Sequence, residues 1–311
     1  MIRSFAPCAR PAIAVPDSTD VRRGTLIVLL LPILIWSYNW IVMKQVLAFI
    51  GPFDFSALRY LFGALILFGV LLFRGESLRP PPLLDTALIG IAQTAGFQAQ
   101  VQWALVEGKA GRTALLAYTM PFWVVLLAAC LLGERPRKQQ WISLVVAAAG
   151  LVFVLEPWHG LGGATSAALA IGGGLCWAIG VVLSKRAFQR SAVGALSLTA
   201  WQMGIGALAL AIVALATHTR PIEWSHFLIG ALVYNAVLAS GLAWLLWSWV
   251  VERLPANVAG VSSLAVPIAG IAFAWMILGE RPTLSEAVGI ALITAALLGM
   301  NLPRAAADGK A

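Results

Sequence analysis

Two tryptophans and an asparagine lie within five residues of one another in the first long apolar segment. Trp36 and Trp40 are one helical turn apart, so in a helix they share a face, with Asn39 beside them. A face with two indoles and an amide suits contact with protein or a solute better than contact with lipid. An interfacial belt is the alternative for many of the 13 tryptophans. Solute-binding candidates are Trp36, Asn39 and Trp40 and, in later apolar segments, Trp177 and Trp244.

The third long apolar segment carries a row of glutamines. In a helix, Gln93, Phe97 and Gln100 fall on one face, and Gln98 and Gln102 fall roughly opposite. Buried amides need hydrogen-bond partners, so one face is expected to bond between helices and the other to line a wet cavity. We predict that the first face lines the cavity; plain helix packing is the alternative.

Charged residues are rare inside the apolar segments. Lys44 and Lys185 lie near segment ends, where a long side chain reaches the headgroups, so both are predicted to be anchors. Arg59 lies deeper; it is expected to pair with Asp54 or a helix C-terminus, or to attract a substrate carboxylate. All 13 acidic residues fall in tails, loops or segment ends, which leaves no obvious proton carrier at mid-segment. This pattern favours a neutral or zwitterionic solute.

Two prolines stand in the middle of apolar segments. Pro121 and Pro267 each remove a backbone donor and bend a helix. They are either static kinks or a matched pair of hinges. Tyr118 and Ser263 lie close to them in sequence and join the candidate pathway.

Other chemistries have little support in the sequence. The three cysteines are far apart and the three histidines lack ligand spacing, so we predict no metal site and no cofactor. No nucleophile stands with a base at segment depth, and no phosphate-binding loop is present, so we predict no enzyme activity. The net charge is +8, but the 21 Lys and Arg are scattered singly, and binding to nucleic acid is not expected.

The elements that position these residues must be membrane-spanning helices. Apolar residues make up 60% of the 311 residues and charged residues only 11%, and helices alone satisfy the backbone of such long segments in lipid. We predict an all-α integral membrane fold of ten transmembrane helices. Their approximate ranges are 24–46, 54–73, 84–106, 112–132, 139–156, 164–188, 193–216, 224–250, 257–278 and 285–302.

The distribution of Lys and Arg predicts the orientation in the membrane. With ten spans and the N-terminus inside, 15 of the 21 fall on the inner side, 5 fall on the outer side, and Arg59 lies within a span. Cytoplasmic loops of membrane proteins show the same enrichment. Both termini are therefore predicted to be cytoplasmic, in a bacterial inner membrane. The predicted divisions are an N-terminal tail (1–23), two halves (24–156 and 157–302) and a C-terminal tail (303–311).

The two halves repeat each other. The letters LLGERP at 131–136 return as ILGERP at 277–282, and the spacing from Trp36 to Lys44 returns in the second half. At a displacement of about 140 residues, the first glutamine face corresponds to Val233, Val237, Ser240 and Trp244. Because each half holds five spans, the second half enters the membrane from the opposite side. Inverted repeats of this kind are typical of secondary transporters that work by alternating access.

These residues resemble the EamA-type half-domain of the drug/metabolite transporter superfamily. The matching positions are Trp36 to Trp40 with Lys44, Arg59–Tyr60, Gly63–Ala64, Pro121 and the turn 133–136. The second half departs from the pattern, with Gln202 where the first half has Arg59. The resemblance covers residues 24–302, and within the superfamily the chain is most similar to YddG-type exporters of amino acids, aromatic ones included.

The resemblance implies a secondary carrier that exports amino acids and related small metabolites. A cavity with polar groups on one wall and apolar groups on the other suits an amino-acid backbone with an apolar side chain. The alternatives are a carrier of another metabolite class and a membrane scaffold or receptor that transports nothing. The expected partners are the small-molecule substrate and the lipid bilayer, and two fused repeats are compatible with a monomer.

Overall fold

The computed structural model describes residues 18–156, 163–217, 220–254, 265–279 and 281–301, together with residues 256, 259 and 263. These residues form helices joined by short turns, and no strand occurs among them. Helices satisfy their own backbone hydrogen bonds, which the strongly apolar sequence requires. The predicted C-terminal tail and residues 1–17 of the predicted N-terminal tail lie outside the described residues.

The helical segments follow the apolar segments of the sequence. They are α1 (Ser18–Gln45), α2 (Pro52–Phe73), α3 (Leu83–Ile89, Gly90–Gly96 and Phe97–Glu107), α4 (Ala110–Leu132), α5 (Lys138–Leu155), α6 (Ala164–Arg190), α7 (Ala195–Thr217), α8 (His226–Arg253), α9 (Ala265–Leu278) and α10 (Leu284–Asn301). Among the described residues, six runs are long and apolar enough to cross a membrane; they lie in α1, α2, α4, α6, α7 and α8. The count of ten spans stays a prediction.

Two helices contain a π-helical stretch in their middle. The stretches are Gly90–Gly96 in α3 and Asn235–Leu242 in α8, and their first residues are 145 positions apart. The matching positions show that the two halves share this irregularity. A π stretch changes the direction in which the following side chains point, and such stretches are frequent at functional sites.

The two prolines do not lie in the middle of a regular helix, although the sequence suggests that they do. In α4 the helix is interrupted at Tyr118 and Thr119, and Pro121 lies in the first turn of the part that follows. In this position a proline displaces no helical hydrogen bond. Pro267 is the third residue of α9. A hinge role for either proline stays a prediction.

The two halves pack in a matched way. Helices at equivalent positions contact each other, α2 with α7 and α5 with α10. The contact between α1 and α9 corresponds to the contact between α6 and α4 in the other half. In the same way, the contact between α3 and α6 corresponds to the contact between α8 and α1. Each contact is therefore reproduced when the halves are exchanged, as expected for two halves related by a two-fold axis.

Glycines lie where pairs of these helices pack most closely. A Cβ atom on Gly63 of α2 would lie 3.0 Å from the Cβ of Ser240, and one on Gly206 of α7 would lie 2.4 Å from the Cβ of Thr94. Gly63 and Gly206 are the equivalent glycines of the two halves. They bring α2 against α8 and α7 against α3, as small residues do at helix contacts in membranes.

The two Gly-Glu-Arg-Pro turns lie at different ends of the helix bundle. In the first turn, Glu134 Oε1 accepts a hydrogen bond from the N–H of Ala256, just beyond α8 (3.0 Å). In the second turn, Arg281 lines a surface pocket together with Lys109, at the start of α4. Glu280 of the second turn lies outside the described residues. The glycine that opens each turn has a positive φ, 66° at Gly133 and 68° at Gly279, and this favours glycine at both positions.

Candidate functional site

A small cavity lies between α1, α2, α3, α4, α6 and α8. The described residues that line it are Trp36, Asn39, Trp40, Met43, Arg59, Tyr60, Phe97, Gln98, Tyr118, Trp177 and Trp244. None of these side chains is more than 7% exposed. The cavity measures about 30 Å³, which is enough for water but not for an amino acid. A larger solute can enter only if the walls move apart.

Aromatic rings form most of the wall. The ring of Trp36 lies 5.7 Å from that of Trp177 and 5.3 Å from that of Trp244. Phe97 lies 5.0 Å from Trp177, and Tyr118 lies 5.2 Å from it. These separations are typical of edge-to-face and tilted aromatic pairs. Trp244, in the second half, lies 5.9 Å from Trp177, so rings from both halves surround Trp177.

Trp36 has a fixed orientation. Its Nε1 donates a hydrogen bond to the carbonyl of Ala239, in the π stretch of α8 (2.9 Å). The indole on α1 is thus attached to the opposite half of the molecule. Asn39, on the same helix, donates from Nδ2 to the sulfur of Met43 (3.0 Å), and its buried Oδ1 has no partner in the part of the chain that the structure describes. An unpartnered buried acceptor is unfavourable unless a solute or water donates to it.

Arg59 brings a positive charge into the cavity wall. Its side chain is 2% exposed. Its Nε donates to the hydroxyl of Ser240 (3.1 Å) and its Nη2 to the hydroxyl of Tyr60 (3.3 Å), but Nη1 has no partner among the described residues. The predicted pairing with Asp54 is not among the ion pairs that the described residues form. A buried charge without an opposite charge is costly, so this guanidinium favours an anionic group in the cavity.

A chain of hydrogen bonds holds one wall in place. The Tyr60 hydroxyl donates to Gln98 Oε1 (3.3 Å), Gln98 Nε2 donates to Gln102 Oε1 (3.3 Å), and Gln102 Nε2 donates to the carbonyl of Met43 (3.0 Å). Each amide thus has a partner, and the chain connects α2, α3 and α1. Tyr60, Gln98 and Met43 also line the cavity, and their pattern in the sequence did not predict this.

The glutamine face predicted to line the cavity is divided by the structure. Phe97 lines it, but Gln93 accepts a hydrogen bond from Ser184 of α6 (3.3 Å), and Gln100 donates to the sulfur of Cys176 (3.2 Å). Gln93 and Gln100 therefore lie between α3 and α6. All three residues nevertheless share one face, because a Cβ atom on Gly173 of α6 would lie 3.6 Å from the ring of Phe97 as well. This face packs mainly against α6, and a projection of α3 alone does not show which neighbouring helix covers it.

The remaining candidates lie near the cavity or at helix ends. Ser240 accepts a hydrogen bond from Arg59, which lines the cavity, and Ser263 is 2% exposed. Lys44 and Lys185, predicted to reach the headgroups, instead donate hydrogen bonds to backbone carbonyls at the ends of α3 and α8. The described residues contain no group of three His, Cys, Asp or Glu side chains that could hold a metal ion.

Comparison with known proteins identifies the family. A model of the EamA-like transporter family matches the chain twice, over residues 23–156 and 164–302. The uncharacterized transporter YoaV of Bacillus subtilis is 27% identical over 270 residues, 84% of this chain and 90% of that protein. A Salmonella typhimurium protein named a probable amino-acid metabolite efflux pump is 28% identical over 282 residues, 86% of this chain and 91% of that protein.

One crystal structure has the same fold. It superimposes with a TM-score of 0.72 and covers 90% of this chain and 96% of its own, at 23% sequence identity. The family model matches both halves and thus most of the chain, and the helices are apolar enough to span a bilayer. The chain therefore belongs to the EamA-like transporter family and is an integral membrane transporter.

Proposed function

We propose that this transporter exports amino acids with aromatic or other apolar side chains, as a secondary carrier working by alternating access. In this proposal ten spans form two inverted five-helix repeats, 24–156 and 157–302, around the central cavity. The carrier lies in a bacterial inner membrane with both termini in the cytoplasm. It needs no cofactor, and one chain contains both repeats.

The observation that carries the proposal is the set of unpartnered groups in the aromatic cavity. Among the described residues, this set consists of Arg59 Nη1, a charged donor, Trp177 Nε1, a neutral donor, and Asn39 Oδ1, an acceptor. An α-amino acid offers the complement, since its carboxylate accepts from a guanidinium and its ammonium group donates to an amide oxygen. The rings around Trp177 suit an apolar or aromatic side chain. No acidic residue is among the described residues that line the cavity, so the positive charge of Arg59 is left for the substrate to balance.

Two further observations support the proposal. The Salmonella typhimurium relative is named a probable amino-acid metabolite efflux pump, which is the basis for the substrate class and the direction. The matched packing of the halves, with their Gly-Glu-Arg-Pro turns at different ends, supports two inverted repeats. Carriers built in this way bind their substrate at the interface of the repeats.

The test is counterflow of labelled phenylalanine into proteoliposomes that contain the purified protein. The wild type is expected to carry phenylalanine with a KM about 10- to 100-fold lower than that for phenylalaninamide, which lacks the carboxylate. Arg59→Gln, which gives this position the residue of the other half, should raise the KM for phenylalanine by a similar factor and remove the discrimination. Arg79→Gln, in the exposed loop before α3, is the matched control and should behave as the wild type.

Other outcomes separate the alternatives. If phenylalanine and its amide are carried equally well by the wild type, Arg59 does not bind the carboxylate. If simple organic acids compete and amino acids do not, the chain carries a different metabolite class. If no solute in these groups is carried by folded protein, the substrate assignment is wrong.

A further inference from the structure

Lys44 closes the end of helix α3. Its ammonium nitrogen donates to three backbone carbonyls, those of Leu105 (2.7 Å), Val106 (3.4 Å) and Gly108 (3.0 Å). The last carbonyls of a helix have no partner within it, and together they attract a positive charge. An ammonium group has three donors, so one lysine satisfies three of these carbonyls. Lys44 lies on α1, and the contact therefore joins the end of α3 to α1.

Lys185 does the same at the end of α8. It donates to the carbonyls of Val251 (3.1 Å), Glu252 (3.1 Å) and Leu254 (2.9 Å). The three acceptors have the same spacing as those of Lys44, each displaced by 146 residues. The backbone after each helix is extended, with ψ of 153° at Gly108 and 154° at Leu254. We call the two contacts the Lys44 cap and the Lys185 cap.

The two caps lie at opposite ends of α6. Near its beginning, Ser166 donates a hydrogen bond to the carbonyl of Ala104 (2.7 Å), next to Leu105 in the Lys44 cap. Lys185 is on the same helix, 19 residues further along. At about 1.5 Å per residue this places the caps roughly 28 Å apart, close to the thickness of the hydrocarbon core. One cap therefore lies toward each side of the bilayer.

Each cap holds the far end of a helix segment that begins after a π stretch. The capped segments are Phe97–Glu107 of α3 and Ala243–Arg253 of α8. The first carries Phe97 and Gln98 and the second carries Trp244, so both contribute to the cavity wall. Sharp changes of helix direction occur at π stretches, which gives each segment a point about which to turn. In this structure both caps are formed, and the cavity lining is buried.

We propose that Lys44 and Lys185 are gate residues, each holding the cavity closed toward its own side of the membrane. Release of the Lys44 cap lets the end of α3 move away from α1 and opens the cavity on that side. Release of the Lys185 cap does the same for α8 and α6 on the other side. Alternating access then requires that the caps open in turn. This inference rests on the alternating-access part of the proposed function and is independent of the substrate.

The test measures the access of a reagent to the cavity from each side. The reporter is Asn39→Cys, which lies in the cavity wall. The background replaces the native cysteines, Cys8, Cys130 and Cys176, by serine. Labelling by a membrane-impermeant maleimide is followed in right-side-out spheroplasts and in inside-out vesicles, without substrate.

The lysine variants should change labelling in opposite directions. Lys44→Met is expected to raise the rate of maleimide labelling about tenfold from the side of the membrane where the Lys44 cap lies. It is expected to lower the rate of labelling from the other side. Lys185→Met should show the reverse. Arginine at either position keeps the charge and the donors, and should restore most of the wild-type behaviour. Lys138→Met, at an exposed position at the start of α5, is the control and should leave both rates within about twofold of the wild type.

The opposite signs distinguish a gate from a cap that only stabilises the fold. A merely stabilising lysine lowers the melting temperature without favouring one side. The proposal is overturned if folded Lys44→Met and Lys185→Met change labelling in the same direction, or not at all. If a methionine variant is not recovered folded, glutamine at that position, which keeps two donors without the charge, is judged by the same criterion. Because labelling needs no substrate, failure of the amino-acid assignment would leave this result unchanged.

Discussion

At the level of single residues, one charge breaks the symmetry of the two halves. Arg59 of α2 and Gln202 of α7 occupy equivalent positions, and both are nearly fully buried, at 2% and 1% exposure. Of the described residues that line the cavity, Arg59 alone is charged, so a zwitterion would have one wall to which its carboxylate is attracted. A carrier with symmetric helices can therefore hold its substrate in one orientation. The unpartnered acceptor of the cavity wall, Asn39 Oδ1, lies on a different helix, α1.

Trp40 and Gln93 make a matched test of which residues face the cavity. Trp40 lines it, whereas Gln93 lies between α3 and α6. Trp40→Ala should change the ratio of phenylalanine to alanine transport by about tenfold, because it removes one aromatic wall. Gln93→Ala should leave that ratio unchanged and lower the melting temperature. Trp224→Ala, at a site 62% exposed, is the control. A change of selectivity in Gln93→Ala instead would show that the cavity extends along α3.

At the level of helices, close contacts and π stretches together set the shape of the cavity. Glycines bring α6 close to α3, so Gln93 and Gln100 are used for packing rather than for lining. Phe97 and Gln98, the first residues after the π stretch, line the cavity. The equivalent stretch of α8 provides the carbonyl of Ala239 that holds Trp36. These irregularities are therefore part of how the site is built.

The contact of α6 with α3 can be tested at Gly180. A Cβ atom there would lie 2.3 Å from the Cβ of Gln93 and 3.0 Å from its Cα, and neither atom can rotate away. Gly180→Ala should therefore destabilise the protein by about 1–3 kcal/mol. Gly230→Ala, on α8, is the control, because nothing lies within 4 Å of its added Cβ and alanine favours a helix by about 1 kcal/mol. Thermal melting in detergent should separate the two; equal melting temperatures would mean that the helices adjust freely.

For the whole molecule, the orientation in the membrane follows from charge rather than from packing. Helix packing is the same whichever side faces the cytoplasm, whereas Lys and Arg are retained on the cytoplasmic side. The bias of 15 to 5 predicts that the loop between α2 and α3 is cytoplasmic and that the turn between α3 and α4 is external.

Single cysteines in these loops test the orientation. Ser77 and Lys109 are both exposed, one in each loop. In intact spheroplasts, Lys109→Cys should react with an impermeant maleimide, and Ser77→Cys should react only after the membrane is opened. Reaction of both cysteines from the same side would contradict the predicted path of α3 through the membrane. The reverse pattern would place the termini outside.

The sequence by itself determined that the chain is helical and suited to a membrane, that its halves repeat, and which residue types have chemistry to offer. These properties are local: apolar length, charge bias and repeated letters need no knowledge of distant contacts. They predicted most of the cavity lining, including Trp36, Asn39, Trp40, Trp177 and Trp244.

Tertiary structure decided which of the candidates meet. Arg59 donates a hydrogen bond to Ser240, 181 residues away, and Trp36 donates one to Ala239, 203 residues away. Lys44 and Lys185 bind helix ends that nothing near them in sequence indicates. The face of α3 that carries Gln93 and Gln100 packs against α6, and a projection of one helix does not show which neighbour covers each of its faces. Hydrogen bonds between distant segments depend on how the whole chain packs, and periodicity describes only one helix at a time.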